Sequence, residues 1–236
     1  AAATKMTISS AGLVGINTAA NSSYYYNDLV VNSGDEGGIT ILDTSSGQSA
    51  LAFADGTSGT ARYMGRVLYD HNTNTMEIGA GGSTYLKIDG DGHMTNASQP
   101  AFLVNPASDQ SNIANDDWVT IAFGTEVYDQ NADFASNTFT APVTGKYFLN
   151  CQLRCDQADT ASDYIWVKFV TSNRSIYGTL YDLGGLSGDP VYWNMTISAL
   201  ADMDANDTVY IQVRSTNGTA QMDISTNTHF SGFLAC

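Results

Sequence analysis

Glutamate, lysine and arginine are scarce in this chain of 236 residues. Three Glu (Glu36, Glu77, Glu126) and nine Lys plus Arg stand against 21 Asp, the remainder of the 24 acidic residues. These are the side chains that cover the wet faces of helices, so their shortage argues against a helical protein. Long apolar runs are missing too. No stretch approaches the ~20 residues that cross a bilayer as a helix, and the opening AAATKMTISS has no apolar signal core. Membrane insertion is therefore not expected. The lack of initiator methionine suggests a piece of a longer polypeptide or a processed product. Positive charge is short as well: a net charge of -15 repels phosphate backbones and anionic lipid, which excludes nucleic acid as a partner.

Three cysteines do not make a disulfide framework. Cys151 and Cys155 share one strand face but lie about 13 Å apart along it, beyond disulfide reach. They read as buried thiols. Cys236 is either an exposed thiol or part of the last strand.

What is abundant is Gly, Asp, Asn, Ser and Thr between short apolar stretches, the composition of strands and turns. TFTAPVTGKYFLN (138–150) shows the pattern. Tyr147, Leu149, Cys151 and Leu153 alternate with Phe148, Asn150, Gln152 and Arg154, a half-buried strand. Pro142 cannot join a ladder and Gly145 tolerates positive φ, so residues 142–145 are expected to turn the chain before that strand. The texture changes near Ser98. Before it, apolar runs are short and Gly-spaced; after it, strands lengthen and carry Trp118, Trp166 and Trp193.

The first part holds a weak repeat. MTISSAGLVGINT from Met6 and LKIDGDGHMTNAS from Leu86 align at an offset of 80, matching Met6/Leu86, Ile8/Ile88 and Gly12/Gly92. Each reads as strand, turn and strand, with too little apolar surface per chain to offset ordering entropy, so partner chains are expected. GLVGINT resembles the G-x-V-G-I-G-T element of bacteriophage tail-fibre and neck proteins. VLYDHNTNTMEIGAGGSTYLKIDGDG resembles the hairpin segment that accompanies it. The resemblance spans roughly 7–18 and 66–95 and implies an intertwined trimeric shaft.

The second part resembles the globular head of complement C1q, within the tumour necrosis factor-like jelly rolls. The resemblance rests on AFLV, EVYDQNADF, FTAPVTGKYFL, ISALADMDANDTVYIQV and FSGFLAC, in the family's order across about 101–236. It implies a ten-stranded jelly roll that trimerises about a threefold axis. Asn206 stands where the family commonly has Gly, and Ala235 replaces a second hydrophobe.

Candidate sites are sparse. The three histidines, His71, His93 and His229, are widely separated without a nucleophile motif, and most Asp lie in turn contexts, so no catalytic residue is assigned and an enzyme is not expected. DGDG (89–92) and Asp202, Asp204 and Asp207 gather oxygens as calcium loops do, without completing an EF-hand; structural calcium is the one cofactor they suggest, turns the plainer reading. The connection 171–194 concentrates aromatics. Tyr177 and Tyr181, with Asp182 and Asn173, are receptor-binding candidates, because tyrosine offers a flat face and a polar tip. Tyr192 and Trp193 belong either with them or to a following strand. Tyr128, Phe139, Tyr147, Trp193, Phe230 and Phe233 are candidates for the core or a trimer interface. Tyr24, Tyr25 and Tyr26 are candidates for an inter-chain seam. Six Asn-x-Ser/Thr sequons, from Asn21 to Asn217, are expected by chance in such a chain.

Together these readings predict an all-β protein, with a β-rich trimeric shaft at 1–97 and a C1q-like jelly-roll head at 98–236. The expected function is that of an extracellular virion component: the distal part of a trimeric phage tail fibre. Its expected partners are sister chains, other virion tail proteins and a host cell-surface glycan or protein. A secreted C1q-like lectin or adhesion protein is the alternative within binding proteins. A glycan depolymerase, marked by paired carboxylates in an inter-chain cleft, is the alternative from another class.

Overall fold

The computed structural model describes residues 5–18, 23–26, 28–32 and 37–236. The sequon at Asn21, and Ser22 and Asn27 beside the tyrosine run, lie outside them. The backbone forms two compact units, Ala1–Met94 and Thr95–Cys236.

The first unit contains two small sheets. In one, β1 (Met6–Ile8) pairs antiparallel with β2 (Val14–Ile16), which pairs parallel with β3 (Leu29–Val31). The other is a meander of β4 (Gln48–Phe53), β5 (Gly65–Asp70), β6 (Thr75–Ala80) and β7 (Ser83–Ile88), with a 3-10 turn at Gly59–Tyr63; β8 (Met94–Asn96) follows β7 in the same sheet and begins at the unit's last residue. Ala80 pairs with Ser83 across Gly81 and Gly82, both at positive φ, the geometry of a two-residue type I′ hairpin turn. The repeat is structural as well as sequential. Gly12 and Gly92 both adopt the left-handed region, at φ 83° and 88°. Their amides donate to the carbonyls of Ser9 and Asp89, while the amides of Ser9 and Asp89 donate to the carbonyls of Leu13 and His93. Side-chain oxygens of Ser9 and Asp89 accept from the amides of Leu13 and His93. The same turn is thus built twice, at an offset of 80 residues. Among the described apolar side chains of this unit only Leu68 is buried, whereas Ile8, Leu29, Ile39, Leu42 and Phe53 are exposed.

The second unit is a sandwich of two six-stranded sheets. Its strands are β9 (Ala101–Asn105), β10 (Val119–Thr120), β11 (Thr125–Gln130), β12 (Phe134–Ala135), β13 (Thr138–Thr140), β14 (Gly145–Asp156), β15 (Ser162–Thr171), β16 (Ser175–Tyr181), β17 (Tyr192–Met203), β18 (Thr208–Asn217), β19 (Asp223–Ile224) and β20 (His229–Leu234). One sheet runs β11-β9-β20-β14-β17, with β19 beside β14. The other runs β12-β13-β18-β15-β16, with β10 beside β18. This is an all-β jelly roll. Nine strands have three or more residues and three have only two, where the resemblance implied ten.

Alternation along β14 sets the layers. Tyr147, Leu149, Cys151, Leu153 and Cys155 are fully buried between the sheets, and the intervening residues face outward. The core is aromatic at one end. Phe102 of one sheet stacks on Phe139 of the other, with ring centroids 4.6 Å apart, and meets Phe230 edge-on at 4.9 Å. Each fully buried ring contributes about 1.5–3 kcal/mol by removal from water. Cys151 and Cys155 are free and buried, and burial pushes the Cys155 thiol up to about 12; Cys236 is exposed.

The break at residues 142–144 is a passage between sheets rather than a hairpin, since β13 pairs with β18 while β14 pairs with β17 and β20. Buried Tyr147 holds it, donating its hydroxyl to the Val143 carbonyl at 2.7 Å. Gly145 corrects the sequence expectation. It is the first residue of β14 and has no positive φ; glycine is needed because a Cβ would lie 2.5 Å from Leu234 Cδ1 and 2.7 Å from the Cys236 carbonyl oxygen. Gly145→Val is expected to destabilise the fold by about 1–3 kcal/mol through overpacking, and Pro142→Ala by less. Denaturant melts of the two variants check this; equal, negligible shifts contradict the close approach.

Candidate functional site

The sandwich presents two outward faces of different chemistry. On the β14 sheet, strand register places Leu200, Phe148 and Phe233 in one row, because Phe148 pairs with both of the others. They are 61%, 38% and 47% exposed, and the two phenyl rings lie 5.5 Å apart. Tyr128, half exposed, stands opposite Leu103 beside a shallow depression lined by Leu103, Asn105, Tyr128, His229 and Ser231. This face carries an apolar patch around Phe148, while Asn150, Gln152, Thr196 and Ser198 make the adjoining surface polar.

On the β15 sheet, Tyr164, Trp166 and Lys168 alternate outward while Ile165, Val167 and Phe169 point into the core. Their partners on β18 are Thr216, Arg214 and Gln212. On the other side, Trp166 pairs with Leu180 and Lys168 with Tyr177, so β16 carries one extra residue: a bulge. Gly178 sits in it. A Cβ there would lie 3.1 Å from Ile197 and Val167, so glycine allows the strand to approach the core. The bulge aims Tyr177 onto Trp166, with rings stacked at 4.4 Å, and the Gly178 carbonyl accepts the Trp166 indole N–H at 2.9 Å. Trp118 joins them at 5.9 Å from each ring, and the Lys168 ammonium lies 4.0 Å from the Trp118 ring centre. Burial lowers the Lys168 pKa.

A third feature is the cleft at one end of the sandwich, bordered by Thr144, Lys146, Asn173, Asp202, Asp204 and Cys236. Asp202 pairs with Arg174 at 2.7 Å, and its pKa is lowered by its own backbone amide and by Arg174. Asp207 accepts from the Asn173 amide at 2.9 Å and from the Asp204 backbone N–H at 2.8 Å. Asn206 stands at φ 75°, the left-handed position for which glycine is best suited.

The sequence-assigned candidates therefore scatter. Phe139, Tyr147 and Phe230 are fully buried core, Tyr128 and Phe233 lie on the outward apolar face, and Trp193 is partly buried edge-on to Tyr181 at 5.4 Å. The connection 171–194 is not one loop, because residues 175–181 form β16 against β15. Glycine at its centre hid the strand in the sequence. Tyr177 is half exposed, whereas Tyr181 packs against the core. Asp182 caps a turn by accepting from the Gly184 amide, and Asn173 is spent on Asp202 and Asp207, so neither stands beside Tyr177 as a free hydrogen-bonding group. Tyr192 opens β17 and lies under the Arg154 guanidinium at 4.3 Å. Tyr25 and Tyr26 are exposed and meet edge-on.

The carboxylates of Asp202 and Asp207 are engaged by Arg174, Asn173 and a backbone amide, the geometry of turns. Among the described residues, the group placed to share a cation is instead Asp89, Asp91 and His93 in the DGDG turn. There Asp89 already accepts from two backbone amides and pairs with His93 Nδ1 at 2.9 Å. Missed from sequence were Trp118, Trp166, Lys168 and Arg214 as one face; the outward alternation within DYIWVKF was the available signal.

The family model for the C1q domain matches residues 101–235, more than half of the chain. The chain belongs to the C1q domain family. C1q domains are typically extracellular, generally non-enzymatic recognition modules that form homotrimers. Similar solved structures include the globular domain of zebrafish complement 1qA, at 20% identity, covering 58% of this chain and 98% of that one with a TM-score of 0.44. Murine APRIL at pH 8.0 is similar at 13% identity, with the same coverage and a TM-score of 0.42. No curated protein matches the chain. Among the described residues, no helix is long and apolar enough to cross a membrane.

The two tyrosines of β16 separate experimentally within this C1q domain. Tyr181→Ala is expected to cost about 1–3 kcal/mol, because it opens space against Trp193 and the core. Tyr177→Ala removes a surface stack worth about 0.5–1.5 kcal/mol. Thermal melts check the order; a larger loss for Tyr177→Ala contradicts it.

Proposed function

We propose that this protein is a structural and recognition component of a trimeric phage tail fibre. Residues 1–97 form the β-rich shaft, and the C1q-like head at 98–236 locks three chains together and meets the host surface. The observation that carries the trimer is the exposed row Leu200, Phe148 and Phe233. Apolar surface of this kind is stabilised by burial, and rings in contact across strands make a ready interface core. The first unit supports the same reading. Its buried apolar content is too small to order its strands, while Ile8, Leu29, Leu51 and Phe53 stay exposed. The phage setting rests on the resemblance of 7–18 and 66–95 to tail-fibre elements and on the doubled turn at Gly12 and Gly92.

Light scattering is expected to give three times the 25.1 kDa chain mass. Leu200→Glu, at an exposed position, is expected to leave each head folded while raising the trimer's dissociation constant by tenfold or more, the order of burying an unpaired carboxylate. A stable monomeric wild type at micromolar concentration overturns the trimer, and a trimer indifferent to Leu200→Glu moves the interface elsewhere. Labelling of the tail tip of the parent virion by antibody to this chain tests the phage setting.

A further inference from the structure

The recognition reading leaves open what chemistry the outward β15 face selects, and its charge pattern is unusual for this protein. Only nine side chains of 236 are Lys or Arg, within a net charge of -15. Arg66 and Lys87 pair with Glu77, Arg154 with Asp156 and Arg174 with Asp202. Like Lys5, Arg62 and Lys146, Lys168 and Arg214 form no ion pair among the described residues, but these two share one sheet face. Arg214 stands two residues from Gln212, the direct partner of Lys168. Such diagonal neighbours lie about 7–8 Å apart.

Both cations are also short of acceptors. The Lys168 ammonium has aromatic rings beside it, Trp118 at 4.0 Å and Tyr177 at 5.6 Å, and no carboxylate. The residue is 8% exposed. Arg214 Nε is buried without a hydrogen-bond partner, as is Thr216 Oγ1 farther along the same face. Removing charge from water without an anion is costly, and sheets usually avoid it. Beside these cations stand Tyr177, which the Gly178 bulge aims onto Trp166, and Trp118, 5.9 Å from both rings. Flat aromatic faces stack on the apolar side of a sugar ring, and cations beside them select a negative substituent.

We infer that this face binds an anionic saccharide, with a sugar ring against the exposed Tyr177 and its carboxylate received by Lys168 and Arg214. The site deepens the recognition function proposed above and rests on it. It replaces the Tyr177, Tyr181, Asp182 and Asn173 grouping with residues that share one face. A neutral sugar would stack but leave both cations unpaired. Long-range repulsion from the acidic remainder is largely screened beyond about 8 Å at physiological salt, so the local pair governs.

The test is calorimetric titration of the full chain with tetragalacturonate, oligosialic acid and neutral maltotetraose in about 0.15 M salt. At least one acidic oligosaccharide is expected to bind tenfold or more tightly than maltotetraose. Lys168→Met and Arg214→Gln should each weaken that binding about tenfold, the scale of a lost charged hydrogen bond. Tyr177→Ala should weaken acidic and neutral sugars alike. Lys168→Met is expected to melt no lower than wild type, since it removes an unpaired buried charge; if it unfolds instead, Arg214→Gln decides. Equal binding of acidic and neutral sugars, no binding of either acidic probe, or wild-type affinity in the folded cation variants overturns the site. Light scattering of the same sample separates the two claims: a trimer that binds no acidic sugar loses the site alone, and a monomer that binds one loses the trimer alone.

Discussion

The contact on which the head depends is the stack of Phe102 on Phe139 across the gap between its two sheets, with Phe230 edge-on beside it. One ring belongs to β9 and one to β13, so the pair fixes the spacing of two layers that share few backbone hydrogen bonds. Tyr147 lies against Phe139 at 5.5 Å and ties the passage from β13 to β14 with its hydroxyl. Once these rings face inward, the period of two leaves no choice about the outward residues. Phe148 must face out because Tyr147 faces in, and Lys168 must face out because Val167 and Phe169 face in. The chemistry of both surfaces thus follows from the seam.

Among its described residues the first unit has no equivalent seam. Its meander is held by hairpin hydrogen bonds and turn geometry, with Gly81 and Gly82 in a type I′ turn and Gly12 and Gly92 repeating one left-handed turn. Glu77 adds a local network, accepting from Lys87 at 2.8 Å and Thr84 at 2.7 Å, and its pKa is lowered first by Lys87. Such contacts define local shape but bury little. The contrast with the head is between a unit that carries its own core and one whose described apolar side chains, Leu68 apart, stay partly or fully exposed.

Much of this was legible in the sequence, because alternation and turn residues are local signals. β14 could be read from its residue pattern, as could the buried Cys151 and Cys155 and the repeat at Met6 and Leu86. The rest required partners that a sequence does not name. β16 was hidden because Gly178 interrupts its alternation, and only its pairing with β15 reveals a bulge rather than a break. Gly145 looked like a φ-permissive turn residue, yet its constraint comes from Leu234 and Cys236, some 90 positions away in the chain. The Lys168 and Arg214 face was missed for the same reason: it forms only when β15, β16 and β18 lie side by side.

The central claim is that the two sheets divide the labour, the β14 face meeting sister chains and the β15 face meeting the outside. An electron cryomicroscopy or crystal structure of the assembled head tests it most directly. Leu200, Phe148 and Phe233 are predicted to be buried against neighbouring chains, with Tyr177 and Trp118 open to solvent. A trimer with Tyr177 and Trp118 sealed at the interface and the Phe148 row exposed would contradict it.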